Sequence, residues 1–306
     1  MQWTAAQLPE LSGRIAIVTG ANSGIGLHTC IGLAAHGARV VLACRDVDRG
    51  KRAADRIRAT TPDADLKVVV LNLSSMASIR EFAGLWTEPL DLLINNAGVM
   101  APPRPATTED GFELQFGTNH LGHFVLTGLL LPALLAAPAG RVVTVASIAH
   151  DGGTDAVLGG NADTVGYNAQ RAYSNSKLAN LLFARDLQRQ AAERGSTLTS
   201  VAAHPGVSAT GLFSDAEGMG AKRVMRTLAP LFLKVFTQSA LAGARGSLYA
   251  ATIAEPGSYT GPQRLGQTRG GIGPARMSSY AQDQKLGREL WRLSEELTGL
   301  RYPWPA

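Results

Sequence analysis

Only two cysteines, Cys30 and Cys44, stand among 306 residues. Two thiols cannot build the framework of a disulfide-stapled secreted domain, so a reducing setting is expected, with both cysteines packed as small hydrophobes. Charge is also scarce, at 17% of residues against 45% hydrophobic ones. That balance excludes a disordered chain and supports a buried core. Aromatic residues reach only 6%, and the basic residues are scattered rather than interleaved with them, which argues against nucleic acid as a partner. No repeat of solenoid period and no linker-like stretch divides the chain, so a single domain over 1–306 is expected. Residues 1–13 are mixed and polar instead of basic and then apolar. They do not read as a secretion leader, and a cytoplasmic protein is the expectation. His120 and His123 suggest a metal pair, but no third ligand cluster accompanies them and no metal is predicted.

The net charge of +5 is unevenly placed: residues 1–206 hold 17 basic and 17 acidic side chains, residues 207–306 hold 12 and 7. A basic surface suits a phosphorylated cofactor, an anionic substrate or an anionic membrane, and equally an ordinary solvated face. Residues 121–139 contain no Asp, Glu, Lys or Arg. A span of ~19 apolar residues can cross a bilayer. This one carries His123, Thr127, Gly128, Pro132 and Pro138 within a regular strand–helix rhythm, so a buried or subunit-facing helix is expected.

That rhythm organises the chain. Short apolar strands are predicted over 14–19, 40–44, 67–73, 90–95, 141–146 and 198–203. Helical stretches alternate with them, including 46–60, 75–86, a long one around Tyr173 to about Arg194, and a final one over 277–298. The alternation predicts an α/β fold, a Rossmann-type doubly wound and mostly parallel sheet with helices on both faces. Residues 151–171, with Gly152, Gly153, Gly159 and Gly160, read as an irregular loop at a pocket mouth, and 269–273 as another loop. The Tyr302-Pro-Trp-Pro tail is expected to dock on a neighbour or fray.

Directly after the first strand comes Gly20-Ala21-Asn22-Ser23-Gly24-Ile25-Gly26, and then a helix. Glycines let the backbone turn sharply and approach a pyrophosphate, while the helix N-terminus supplies free N–H groups and a positive dipole end. The residue closing the second strand decides the phosphate: an acidic side chain bonds the ribose, an arginine accommodates a 2′-phosphate. Here that position holds Arg45, whose guanidinium suits a phosphate through paired hydrogen bonds, with Ser23 as a helper. NADP(H) is therefore predicted over NAD(H). The competing expectation is a surface pair of Arg45 with Asp46 or Asp48.

Tyr173 and Lys177 are four apart and share one face of their predicted helix. A phenol has an ordinary pKa near ~10. An ammonium held at about 4 Å favours the phenolate by roughly 4 kcal/mol at an effective dielectric of ~20. Such a pair could serve as a general acid–base near neutral pH, protonating a carbonyl oxygen as hydride arrives.

Four stretches together resemble the short-chain dehydrogenase/reductase family: Thr19 to Gly26, Asn95-Asn96-Ala97-Gly98, Ser147 at the end of the fifth strand, and Tyr173-x-x-x-Lys177. Leu42 to Asp46, Thr118 to Phe124 and Ser176 to Asn180 further resemble its retinol dehydrogenase-like and protochlorophyllide reductase-like branch. The resemblance covers roughly residues 12–300. It implies a catalytic tetrad of Asn119, Ser147, Tyr173 and Lys177. Asn119 would bend its helix and hold a water, Ser147 would bond the substrate oxygen, and Lys177 would lower the Tyr173 pKa and hold the nicotinamide ribose. It also implies a cofactor lining of Gly20, Asn22, Ser23, Gly24, Ile25, Gly26, Arg45, Asn72, Leu73, Asn95, Ala97, Gly98, Pro205, Gly206, Val207 and Thr210. The family often has Asp where Asn72 stands; an amide can still serve the adenine edge.

The resemblance implies an NADP(H)-dependent oxidoreductase acting on a carbonyl/alcohol pair, probed against two alternatives: a C=C reductase of the same fold, and a non-catalytic dinucleotide-binding regulator or scaffold. Residues 206–238 would cover the substrate. Val224, Leu228, Leu231, Phe232 and Val235 fall at helical spacing with Lys222, Arg223, Arg226 and Lys234 beside them. That pattern fits an apolar lid over a small lipophilic carbonyl or alcohol, with peripheral membrane contact, or plain packing. Members of the family are often homodimers or homotetramers. Substrate and direction are not written in the sequence.

Overall fold

Ile15–Thr19 (β1) is apolar along its length, with its last four residues buried, the pattern of a strand covered on both faces in a parallel sheet. It pairs in parallel with Arg39–Cys44 (β2) on one side and Leu92–Asn95 (β4) on the other. The computed structural model describes residues 3–159, 166–207 and 239–305. Leu66–Val70 (β3), Arg141–Val145 (β5), Thr199–Ala203 (β6), Tyr259–Arg264 (β7) and Arg269–Pro274 (β8) complete a sheet of order β3-β2-β1-β4-β5-β6-β7-β8. All neighbours run parallel except β7 and β8.

Helices cover both faces. Gly24–Ala34 (α1), Val47–Arg58 (α2) and Ala240–Thr252 (α7) share one core. Met76–Gly84 (α3), Gly122–Ala136 (α5), Ala169–Glu193 (α6) and Gln284–Thr298 (α9) pack on the other side. Leu114–Phe116 (α4) and Ser279–Gln282 (α8) are single turns. Polar side chains fix where the helices begin. Asp46 accepts from Asp48 and Arg49 N–H groups to start α2, which occupies its carboxylate without Arg45. Asn168 caps α6 and Ser239 caps α7; such caps are worth roughly 1 kcal/mol each. The single-domain, doubly wound architecture expected from the alternation is the observed one.

Two strands were not foreseen. The stretch 269–273, expected as a loop, lies within β8, and β7 precedes it. β7 contains Pro262 and β8 reads Arg-Gly-Gly-Ile-Gly-Pro, so neither carries a β-branched run. They become strands because β6 offers an open edge: Ala202 and Ala203 pair with Tyr259 and Thr260, and β8 folds back on β7 through a turn with positive φ at Leu265, Gly266 and Gln267. The final helix is interrupted at Asp283, whose carboxylate caps α9 through the Lys285 and Leu286 N–H groups.

The tail is also corrected. The Tyr302 hydroxyl donates to the Phe124 carbonyl at 2.8 Å, and its ring lies 4.5 Å from that of Trp291. It therefore docks on the chain's own α5 and α9. Gly128 makes this approach feasible, since a Cβ there would stand 2.7 Å from Leu300 and 2.8 Å from Tyr302. The apolar stretch Leu114–Ala136 is long and apolar enough to cross a membrane. It lies mostly buried, with α5 against α3 and its early turns against α6. The 151–171 stretch, read as an irregular loop, opens with two 3-10 turns, Ile148–Gly152 and Asp155–Gly159; residues 160–165 lie outside the described residues. Thr210 and the predicted covering segment beyond Val207 lie outside the described residues.

Candidate active site

The strand order reverses between β1 and β4, which opens a crevice at their carboxyl ends. The glycine turn lies there. Gly20 and Gly24 have φ of 65° and 55°, which L side chains rarely adopt. A Cβ at Gly26 would stand 2.4 Å from the Gly20 carbonyl oxygen and 2.6 Å from Asn96 Nδ2. Asn96, the first residue past β4, braces the turn by donating to the Thr19 carbonyl at 2.7 Å, and the Asn96 and Ala97 N–H groups both donate to Thr19 Oγ1 at 2.9 Å. Gly26→Ala pushes against backbone on one side and a hydrogen-bonded amide on the other. The expected result is a stability loss of about 1–3 kcal/mol together with weakened dinucleotide binding, read by thermal unfolding and fluorescence titration.

The donor set fits a phosphorylated dinucleotide. Ser23 stands at the start of α1 without spending its side chain on a cap, so the helix N-terminus keeps free N–H groups facing the turn. The turn is tied to β2 by the Gly20 N–H donating to the Ala43 carbonyl at 2.9 Å, and Arg45 follows two residues on. Arg45 is exposed and makes no ion pair among the described residues. Asn95 is buried, with its Nδ2 donating to Thr127 and its Oδ1 lacking a partner among the described residues. Asn72 is engaged locally: its Nδ2 donates to Glu109, and its Oδ1 accepts from Ser74. Leu73 is buried under α5, its carbonyl 2.5 Å from where a Cβ at Gly122 would stand. Gly206, at φ 68°, donates its N–H to His204 Nδ1, and the Val207 N–H ties to the Thr268 carbonyl.

The four tetrad positions converge. Asn119 lies in a π-helical turn, Gly117–Leu121, between α4 and α5; such wide turns recur at functional sites. Its side chain is fully committed. Oδ1 accepts from the Val99 N–H at 2.7 Å, and Nδ2 donates to the Val99 carbonyl and to Ser176 Oγ on α6. Gly98 fits between the components: a Cβ there would stand 3.1 Å from Asn119 Oδ1 and 3.5 Å from Lys177 Nζ. Lys177 Nζ donates to the Val145 carbonyl at 3.1 Å and lies 5.8 Å from the centre of the Tyr173 ring. Ser147 lies two residues past β5 and caps the 3-10 turn Ile148–Gly152, its Oγ accepting from the Ala149 N–H. Ser147 is thus both the cap of that turn and a hydrogen-bond neighbour of Tyr173.

Burial sets the ionisation of this group. It pushes the Tyr173 phenol up to about 12, with the Ser147 hydrogen bond pulling the other way. It pushes Lys177 down to about 8. The expected lowering of the phenol by Lys177 is therefore not what the structure gives. That expectation weighed two charges against each other and left out the desolvation of each, which is the leading cause acting on both groups.

Three participants were missed. Thr19 anchors the turn, Ser176 holds Asn119 while donating to the Tyr173 carbonyl at 2.8 Å, and Asn180 shares the Val145 carbonyl with Lys177. The signal for the last two was present in the Ser176 to Asn180 motif. His120 and His123, read as a weak metal pair, turn to different partners, Ser294 and Thr19.

With this geometry established, comparison with known proteins gives a consistent answer. A family model described as short chain dehydrogenase matches residues 14–219. Human (Homo sapiens) retinol dehydrogenase 13 is 41% identical over 296 residues, covering 96% of this chain and 87% of that protein. Among solved structures, an uncharacterized protein from Mycobacterium Paratuberculosis is 42% identical with a TM-score of 0.83, covering 99% of this chain and 100% of that one. The Pseudomonas aeruginosa RhlG/NADP active-site complex is 26% identical with a TM-score of 0.61, covering 82% and 94%.

Proposed function

This chain belongs to the short-chain dehydrogenase family and is an NADP(H)-linked oxidoreductase of that type; we propose that it moves hydride between the nicotinamide and the carbonyl carbon of a lipophilic aldehyde, ketone or corresponding alcohol, with Tyr173 as acid–base. The observation that carries this reading is the convergence of buried Tyr173, Lys177 and Asn119 with half-buried Ser147 at the carboxyl edge of the sheet, beside the glycine turn. The similarity to a retinol dehydrogenase supports the lipophilic character of the substrate.

NADP(H), when bound, supplies or accepts the hydride. The glycine turn, with Asn22, Ser23 and Ile25, would hold the pyrophosphate, and Arg45 the 2′-phosphate. Asn72 and Leu73 would flank the adenine. Asn95, Ala97, Gly98, Pro205, Gly206 and Val207 would line the remainder. The chain's own groups then divide the proton chemistry. Tyr173 gives its proton to the carbonyl oxygen as negative charge develops there, and takes the hydroxyl proton in reverse. The Ala149 N–H occupies a lone pair of Ser147 Oγ, and the hydroxyl, hydrogen-bonded to the Tyr173 phenol here, would turn to donate to the same oxygen. Lys177 spends one of its three donors on Val145, leaving two for the ribose and a proton path. Asn119, with both ends of its amide used, acts by shaping its helix and presenting its carbonyl.

Arg45→Asp tests the cofactor assignment. Replacing a charge-assisted phosphate partner with a carboxylate is expected to weaken NADPH binding on the order of 100-fold while leaving NADH binding level or improved. Titration of both cofactors against both proteins reads this; equal affinity for NADPH in wild type and variant would remove Arg45 from the site.

A further inference from the structure

We propose that His123 is a positioning residue that bridges the glycine turn to the Asn119 carbonyl, so that the cofactor cradle and the catalytic turn hold one another in register. This rests on the proposed function for the meaning of the two ends, while the bridge itself is geometric. His123 is buried on the first turn of α5. Its Nδ1 lies 2.9 Å from the Asn119 carbonyl oxygen and its Nε2 lies 2.9 Å from Thr19 Oγ1.

The partners fix the tautomer. A carbonyl oxygen only accepts, so Nδ1 carries the proton and Nε2 is the acceptor. Thr19 Oγ1 already accepts from the Asn96 and Ala97 N–H groups. Its own proton therefore points to Nε2, the alternative being the more distant Ile94 carbonyl at 3.4 Å. One continuous donor–acceptor line runs from the Asn96 and Ala97 amides, just past β4, through Thr19 and the imidazole to the carbonyl of Asn119. Burial keeps the ring neutral, pushing it down to about 4, so the line holds one direction across the physiological range. Neither end can be served by an apolar residue, and either end left unpaired is a buried polar group without a partner.

Amide side chains separate the two halves. Asn places an N–H near the position of Nδ1, and Gln reaches the position of Nε2. His123→Gln is expected to lose mainly kcat, because the Asn119 carbonyl loses its donor. His123→Asn is expected to lose mainly NADPH affinity, because Thr19 loses its acceptor. His123→Leu loses both, each by roughly tenfold, as fits one unmade buried hydrogen bond at each end. A residue that only fills space predicts parallel losses in all three variants, following their melting temperatures, and that result would overturn the bridge. So would a His123→Leu protein with kcat and NADPH affinity both within about twofold of wild type. A third measurement uses no cofactor at all: unfolding of Thr19→Val, His123→Leu and the double variant. Non-additive losses support the bridge and additive losses overturn it, even if wild type binds no NADPH and the proposed function itself falls.

Discussion

Tyr173→Phe keeps the fold and lowers kcat and kcat/KM together, by roughly a thousandfold, within the range of general acid–base contributions. The ring stays in its buried place, and the hydrogen bond from Ser176 goes to the Tyr173 backbone carbonyl, so little but the hydroxyl is lost. NADPH affinity is expected to change by only about fivefold, as for one neutral hydrogen bond. The pH profile sharpens the test. With the phenol pushed up to about 12 by burial, the proton needed for carbonyl reduction is present at every pH from about 5.5 to 7, below the range in which Lys177 loses its charge, so wild-type reduction is flat there. Alcohol oxidation needs the phenolate and should rise with pH across the same window. Steady-state rates in both directions check this; a reduction rate falling steeply between about pH 5.5 and 7 would show that another group supplies the proton.

Lys177→Met abolishes turnover and at the same time stabilises the protein at neutral pH. Burial pushes Lys177 down to about 8 from its ordinary 10.5. A lowered lysine means that the unfolded chain binds more protons than the folded one between these values, so stability rises with pH across that interval. Below pH 8 the charged ammonium is carried in both states and the full penalty of roughly 3 kcal/mol is present. Methionine removes that penalty with similar volume. The variant should therefore gain up to that amount at pH 7, and the gain should shrink towards zero by about pH 10.5. Urea unfolding at a series of pH values measures it. A destabilised variant at pH 7 with no pH-dependent difference would mean that the ammonium is well solvated where it stands.

The catalytic region was legible because its signals are local. Tyr173 and Lys177 share a helix face, the glycine turn follows an apolar strand, Asn95 ends a strand and Ser147 follows one closely, so strand alternation alone brings them to one edge. β7 and β8 were illegible because their pairing is decided by the open edge of β6, not by Gly270, Gly271 or Pro262. Tyr302 was illegible because its acceptor, the Phe124 carbonyl, lies 178 residues away in sequence. The ionisation of Tyr173 was misjudged for a related reason: spacing gives the distance to Lys177 but not the depth at which both are buried. His123 shows the same limit from the other side, since its motif was visible but its two partners come from different elements.

The most direct test of the account is NADPH oxidation by the wild-type protein with a series of lipophilic aldehydes, followed by nicotinamide absorbance and by identifying the product. The account predicts stoichiometric conversion to the alcohol with NADPH, a much smaller rate with NADH, and loss of both signals in Tyr173→Phe. Tight NADPH binding with no alcohol formed from any aldehyde would contradict it and leave a dinucleotide-binding regulator in its place.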